Sequence, residues 1–300
     1  MKEMKPFATN LSRIWRRMPV GVRRAGLNLG DRFAEFLARH TDSRARWLEL
    51  RNKIIAYRLF ENCEDVDSIA RLDPYSRLFA AEGYGYRNVC AALRLEMPAA
   101  LSPIAIHAGV GLRLAEQTLE RLDAGEDLLA EFLSTCKQYA WPGYAGIMEE
   151  SLGLIARTLY PRSIAQLDER LRVMSTLSWK RFWHGVGRGI YFVTSRNGIE
   201  RCMNEPPDET ARLNALSGFC FALTLVNLRH PEVFTAFLRR HDYSDGINAA
   251  LMVWKLSCNE TAEPAYSREP ERLFVSKEEK TDEQYANVDD TRCEPLYRAS

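Results

Sequence analysis

Phe182-Trp183-His184-Gly185-Val186-Gly187-Arg188-Gly189-Ile190-Tyr191-Phe192 sets three glycines, a histidine, an arginine and four aromatic residues in one run of helical pattern. Glycine costs about 1 kcal/mol against alanine in a helix interior, so three of them together point to something that approaches the backbone closely. Weaker copies of the phrase recur as Glu82-Gly83-Tyr84-Gly85, Ala108-Gly109-Val110-Gly111, Glu150-Ser151-Leu152-Gly153, Ser217-Gly218-Phe219-Cys220 and Asp245-Gly246-Ile247-Asn248. Their irregular spacing, roughly 26 to 42 residues, fits a degenerate helical repeat rather than a strict array. The predicted fold is all-α, a solenoid or α/α toroid-like single domain with a loose C-terminal arm.

The composition suits a sizeable helical core. The chain has 300 residues, 46% hydrophobic and 27% charged, which is too apolar for disorder throughout. Its net charge of +1 conceals an asymmetry, with Arg and Lys prevailing up to Lys53 and Asp and Glu after Asn259. No basic surface interleaved with aromatics spans a domain, so nucleic acid is not an expected partner. Seven cysteines without a Cys-x-x-Cys indicate neither a zinc knuckle nor a disulfide framework. The opening Met1-Lys2-Glu3-Met4-Lys5-Pro6-Phe7 lacks a secretory signal, and no window offers about 18 uninterrupted apolar residues, so the expected location is cytoplasmic.

Three regions follow from the pattern. Residues 1–50 read as a basic helical lead, in which 11–46 carry arginines among apolar residues. That segment is either an ordinary solvated helix face or a peripheral contact with an anionic membrane. Residues 51–257 read as the repeat domain, where ordinary helices such as Leu128 to Tyr139 alternate with glycine-bearing ones. Residues 258–300 are polar and read as an arm.

The glycines have two readings. Small residues one turn apart let helix backbones meet, or they leave room beside the helix for a flat or rod-like ligand. Gly185-Val186-Gly187-Arg188-Gly189 is not a dinucleotide fingerprint, because it follows no buried strand and no Walker lysine succeeds it. No Gly-x-Ser-x-Gly elbow is present either. Polar residues lead the phrases: Glu82, His107, Glu149 or Glu150, His184 and Asp245. Capping of helix starts is one reading. The other has the helices curve so that Glu82, His107, Glu150, His184 and Asp245 converge on one ligand pocket that also receives Arg188. His107, His184, Glu82 and Glu150 would then suit iron or manganese, although the helix-bundle signature Glu-x-x-His is absent. Arg188, alone among apolar residues and glycines, calls for a carboxylate partner such as Glu150.

Trp183-His184-Gly185-Val186-Gly187-Arg188-Gly189-Ile190-Tyr191-Phe192, together with Ala222-Leu223-Thr224-Leu225-Val226-Asn227-Leu228-Arg229-His230-Pro231-Glu232, resembles an uncharacterised family encoded in enediyne-type polyketide gene cassettes. Glu82-Gly83 and Gly109-Val110-Gly111 match its earlier glycine phrases, and the likeness spans about Arg51 to Leu256. The resemblance implies work on a linear, very apolar polyene made by a polyketide synthase, and it brings no catalytic residues with it. Three functions stay open: an accessory or tailoring protein that binds the polyene, a metal-dependent oxidoreductase acting on it, and a helical scaffold that holds the synthase or other pathway enzymes.

Overall fold

The structure, a computed structural model, describes residues 18–40, 43–62, 65–89, 98, 100–122, 127–193, 197–230 and 233. Among these residues every regular element is helical and there is no strand. The α-helices are α1 (Val20–His40), α2 (Arg44–Asn62), α3 (Val66–Ala70), α4 (Pro74–Arg87), α5 (Pro103–Glu120), α6 (Leu128–Tyr139), α7 (Ala145–Leu159), α8 (Ile164–Met174), α9 (Thr176–Val193), α10 (Gly198–Asn204) and α11 (Glu209–Val226).

Short polar residues start five of them. The carboxylates of Asp65, Asp73, Asp127 and Asp208 and the Ser102 hydroxyl each accept a backbone N–H of the first turn. Pro74 and Pro103 follow their caps at the first helical position, where a missing N–H costs nothing. Pro103 therefore opens α5. Among the described residues the glycine phrases sit one to two turns inside their helices, so Glu82, His107, Glu150 and His184 do not cap them.

The long helices pack in series as α2, α4, α5, α7, α9 and α11, and the glycines explain how. A Cβ added to Gly85 would fall on the carbonyl of Ile106, and one added to Gly109 on the carbonyl of Glu82. Gly153 meets the carbonyl of Phe182 while Gly185 meets that of Glu150, and Gly187 meets that of Ala215 while Gly218 meets that of His184. In each reciprocal pair the glycine sits on the carbonyl three residues before the other helix's glycine. A Cα–H thereby faces a carbonyl oxygen, the weak contact that recurs between closely approaching helices.

Between α5 and α7 serine replaces one partner. Gly111 packs on Met148, and the Ser151 hydroxyl lies 3.2 Å from the Ala108 carbonyl, again three residues before the glycine. Gly83 abuts the Phe60 carbonyl on α2 in the same manner.

Residues two apart on a helix point about 200° from each other, so a small-x-small phrase serves both neighbours of its helix. Gly185 and Gly189 face α7 while Gly187 faces α11. The residue between the two glycines then points to one side of the row and the flanking residues to the other. On α9, Val186 shares its side with Trp179 and Trp183, whose indole N–H groups donate to Asp168 of α8 at 2.6 and 2.7 Å. His184, Arg188 and Tyr191 take the opposite side.

The end of the row touches its beginning. Asn52 on α2 donates from Nδ2 to Asn227 Oδ1 at 2.9 Å, and the Tyr75 hydroxyl donates to the Val226 carbonyl at 2.6 Å. The boundary expected at residue 50 falls inside α2, which packs on both α1 and α4. Apart from Val233 itself, the expected segment Val233 to Arg240 lies outside the described residues, as do Asp245 to Leu256 and the arm after residue 258.

Candidate functional site

The contact between α7 and α9 brings carboxylate and cation together. Because Gly185 rests on the Glu150 backbone, the Glu150 side chain reaches both polar residues of α9. Its Oε1 lies 2.9 Å from His184 Nδ1 and accepts Arg188 Nη1 at 2.9 Å. Arg188 extends further to α4, with Nη2 3.6 Å from Glu82 Oε1. Two helices, α5 and α7, separate α4 from α9 along the row, so this contact crosses its inner side. Phe221 of α11 closes the cluster, with its ring 5.6 Å from the imidazole and 5.3 Å from the guanidinium carbon.

The two carboxyl groups on Arg188 live in different surroundings. Glu82 keeps 16% of its side-chain surface accessible, and Glu150 keeps 4%. Burial pushes the Glu82 carboxyl up from the usual carboxylate range; Arg188 pulls the other way and the charge of Glu150 adds to the rise. Burial would also raise Glu150, but the charges of His184 and Arg188 and their hydrogen bonds bring it down to about 2. Arg188 is held above its ordinary value by Glu150 and Glu82 against the effect of burial. One guanidinium thus holds two carboxyl groups whose pKa values are displaced in opposite directions, Glu150 down and Glu82 up.

Of the residues expected at a common pocket, Glu82, Glu150, His184 and Arg188 come together. His107 does not join them. It donates from Nδ1 to the Pro103 carbonyl at 2.7 Å, accepts the Trp141 N–H on Nε2 at 3.0 Å, and stacks on Tyr144 with ring centroids 4.6 Å apart. Burial lowers its pKa to about 4, against the opposing bond to Pro103. The imidazole therefore latches the turn before α7 onto α5 in its neutral form. Asp245 lies outside the described residues.

The four-ligand metal site of His107, His184, Glu82 and Glu150 is corrected by this geometry. Both nitrogens of His107 are taken, and Oε1 of Glu150 accepts a guanidinium N–H. Among the described residues no three His, Cys, Asp or Glu side chains are grouped to hold one ion. The choice between Glu149 and Glu150 is also resolved. Glu149 turns away and accepts Ser178 Oγ at 2.7 Å and Arg181 Nη1 at 3.1 Å.

A second buried polar group was not legible in the glycine phrases. Lys53 of α2 pairs with Glu49 at 2.8 Å and lies 3.9 Å from the centre of the Tyr191 ring. Tyr191 accepts Asn227 Nδ2 at 2.9 Å, and Asn227 accepts Asn52. The available signal was Asn227 itself, an amide inside the apolar run Leu225-Val226-Asn227-Leu228. Phe221 gave no signal beyond its place four residues after Ser217. Comparison with protein families, curated proteins and solved structures found no match to this chain.

Proposed function

We propose that the chain binds an elongated, apolar, polyketide-derived polyene along the inner side of the helical row and shifts a proton on it. The observation that carries this reading is the pairing on one guanidinium of a more accessible carboxyl, Glu82, with a more deeply buried one, Glu150. Such a pair separates a proton-exchanging group from a fixed charge. The motif likeness to the enediyne-cassette family supports the choice of ligand, and the Phe221 ring beside His184 and Arg188 suits a conjugated chain.

Glu82 is the exchanging group, because it is the more accessible carboxyl and the one whose proton is held longer. It delivers a proton to one end of an allylic unit and receives one from the other, a redox-neutral migration of a double bond. Arg188 orients Glu82, and the Glu150–His184 pair holds Arg188 in place. No further reactant is required, since the proton count of ligand and protein is unchanged after the cycle.

The test uses a synthetic linear heptaene in D2O. Binding should shift its visible absorption to the red, and mass spectrometry should find deuterium at an allylic carbon with wild-type protein. Glu82→Gln should keep the absorption shift and lose the exchange. An unshifted spectrum with wild type, or exchange by Glu82→Gln at the wild-type rate, rules the reading out.

A further inference from the structure

The first two helices carry a surface the proposed site does not use. On α1, Val22, Leu29, Phe33 and Phe36 fall within about 60° of one another around the helix axis. They are exposed, Leu29 to 71% and Phe33 to 58%. The opposite face of α1, with Leu27, Ala34 and Ala38, is buried against α2, so the exposed stripe is not the packing face turned outward. Trp47 of α2 meets Phe33 edge to face at 6.5 Å, and the exposed Leu50 follows one turn later. Large aromatics and aliphatics thus continue across both helices as one patch.

The charges around the patch are arranged by sign. Arg32, Arg39, Arg44 and Arg46 are exposed, and Arg46 lies 5.7 Å from the centre of the Trp47 ring. The acids of the pair are drawn to the packing side, where Asp31 binds Arg51 and Arg58, Glu49 binds Lys53, and Glu61 binds Arg23. Glu35, at the edge, is engaged by Arg39 and Arg51.

We infer that α1 and the first turns of α2 form a membrane-docking surface for an anionic lipid bilayer. An apolar stripe carrying Phe and Trp and rimmed by arginines matches the interface of such a bilayer in both polarity and charge. A second copy of the chain is a poorer occupant, since a two-fold contact through this patch would set arginines against arginines. Docking here leaves the inner cluster of α4, α7 and α9 untouched, so the two functions are separable.

The test is co-sedimentation of the full chain with vesicles of phosphatidylcholine alone and of equal parts phosphatidylcholine and phosphatidylglycerol. The protein should pellet with the anionic vesicles and stay in solution with the neutral ones. Arg32→Glu and Arg46→Glu should each weaken binding about fivefold or more, and added salt should weaken it further. Phe33→Glu with Phe36→Glu should abolish it while the far-ultraviolet helix signal is retained, because both positions are exposed. Wild-type protein that remains in solution with anionic vesicles overturns the inference. So does a wild-type dimer that the Phe33→Glu, Phe36→Glu variant converts to monomer, which would assign the face to a second copy.

Discussion

The α7–α9 contact and the α1–α2 pair show two uses of glycine. On α9, Gly185, Gly187 and Gly189 each meet a neighbouring helix at distances that no Cβ tolerates. On α1, Gly21 has open space around it, and Gly30 meets only the flexible end of Ile54 at 3.3 Å. The first region uses glycine to join backbones and thereby seats Glu150 against His184 and Arg188. The second leaves its glycines unused and presents apolar residues to the outside. A glycine in a helix pattern therefore carries structural meaning only through what faces it.

The largest expected effect tests what the close contact protects. Arg188→Met removes the cation between two buried carboxyl groups, and leaving a buried charge unpaired costs about 3–5 kcal/mol. Urea unfolding should show a loss of this order. A second change, Glu150→Gln in the Arg188→Met background, should recover part of it. Arg39→Met, on the exposed α1, should change stability by less than about 1 kcal/mol.

Acid sensitivity gives the next effect. His107 has a folded pKa of about 4 against an ordinary 6.5, so between these values the unfolded chain binds more protons. Stability from this group is full above pH 6.5 and is lost as pH falls towards 4, by an amount of order 3 kcal/mol. Glu150, lowered to about 2, adds a loss that begins below about pH 4.5 and continues as pH falls. His107→Gln should flatten the decline between pH 6.5 and 4 in a series of urea titrations and leave the lower limb in place.

A smaller effect concerns a helix start. Asp208 caps α11 by accepting the Ala211 N–H at 2.9 Å and also binds Arg172 of α8 at 2.6 Å. Asp208→Ala should cost about 1 kcal/mol in thermal unfolding, in the range for a lost N-cap.

Much of the helical pattern was legible because it rests on local signals. Leu128 to Tyr139 matches α6, and the Asn204-Glu205-Pro206-Pro207-Asp208-Glu209 run, with its prolines and acids, reads as a loop with a helix start at its end, where Asp208 caps α11. Arg188 announced its need for a carboxylate, and Glu150 supplies it. What the sequence left open depended on which side of a helix faces inward. His107 and His184 occupy comparable places in their phrases, yet the first is engaged by the Pro103 carbonyl and the Trp141 N–H, and the second by Glu150. No local pattern separates those fates, because Trp141, the second partner of His107, lies 34 residues away. The spacing of glycines by two also held more than it yielded, since only the neighbours on both sides reveal that each serves a different helix. Asn52 and Asn227, 175 residues apart, join the ends of the row through a contact that no local pattern could give.

One substitution made at two places tests the account most directly. Alanine favours a helix interior over glycine by about 1 kcal/mol where its Cβ has room, and a first turn by less. Gly21→Ala should therefore raise stability in equilibrium urea unfolding by up to about 1 kcal/mol, whereas Gly185→Ala should lower it by about 1–3 kcal/mol or more as the Cβ drives α9 from the Glu150 carbonyl. Opposite signs are the predicted result. A gain of stability at both positions would contradict the account, because the backbones of α7 and α9 would then not be in contact and nothing would seat Glu150 against His184 and Arg188.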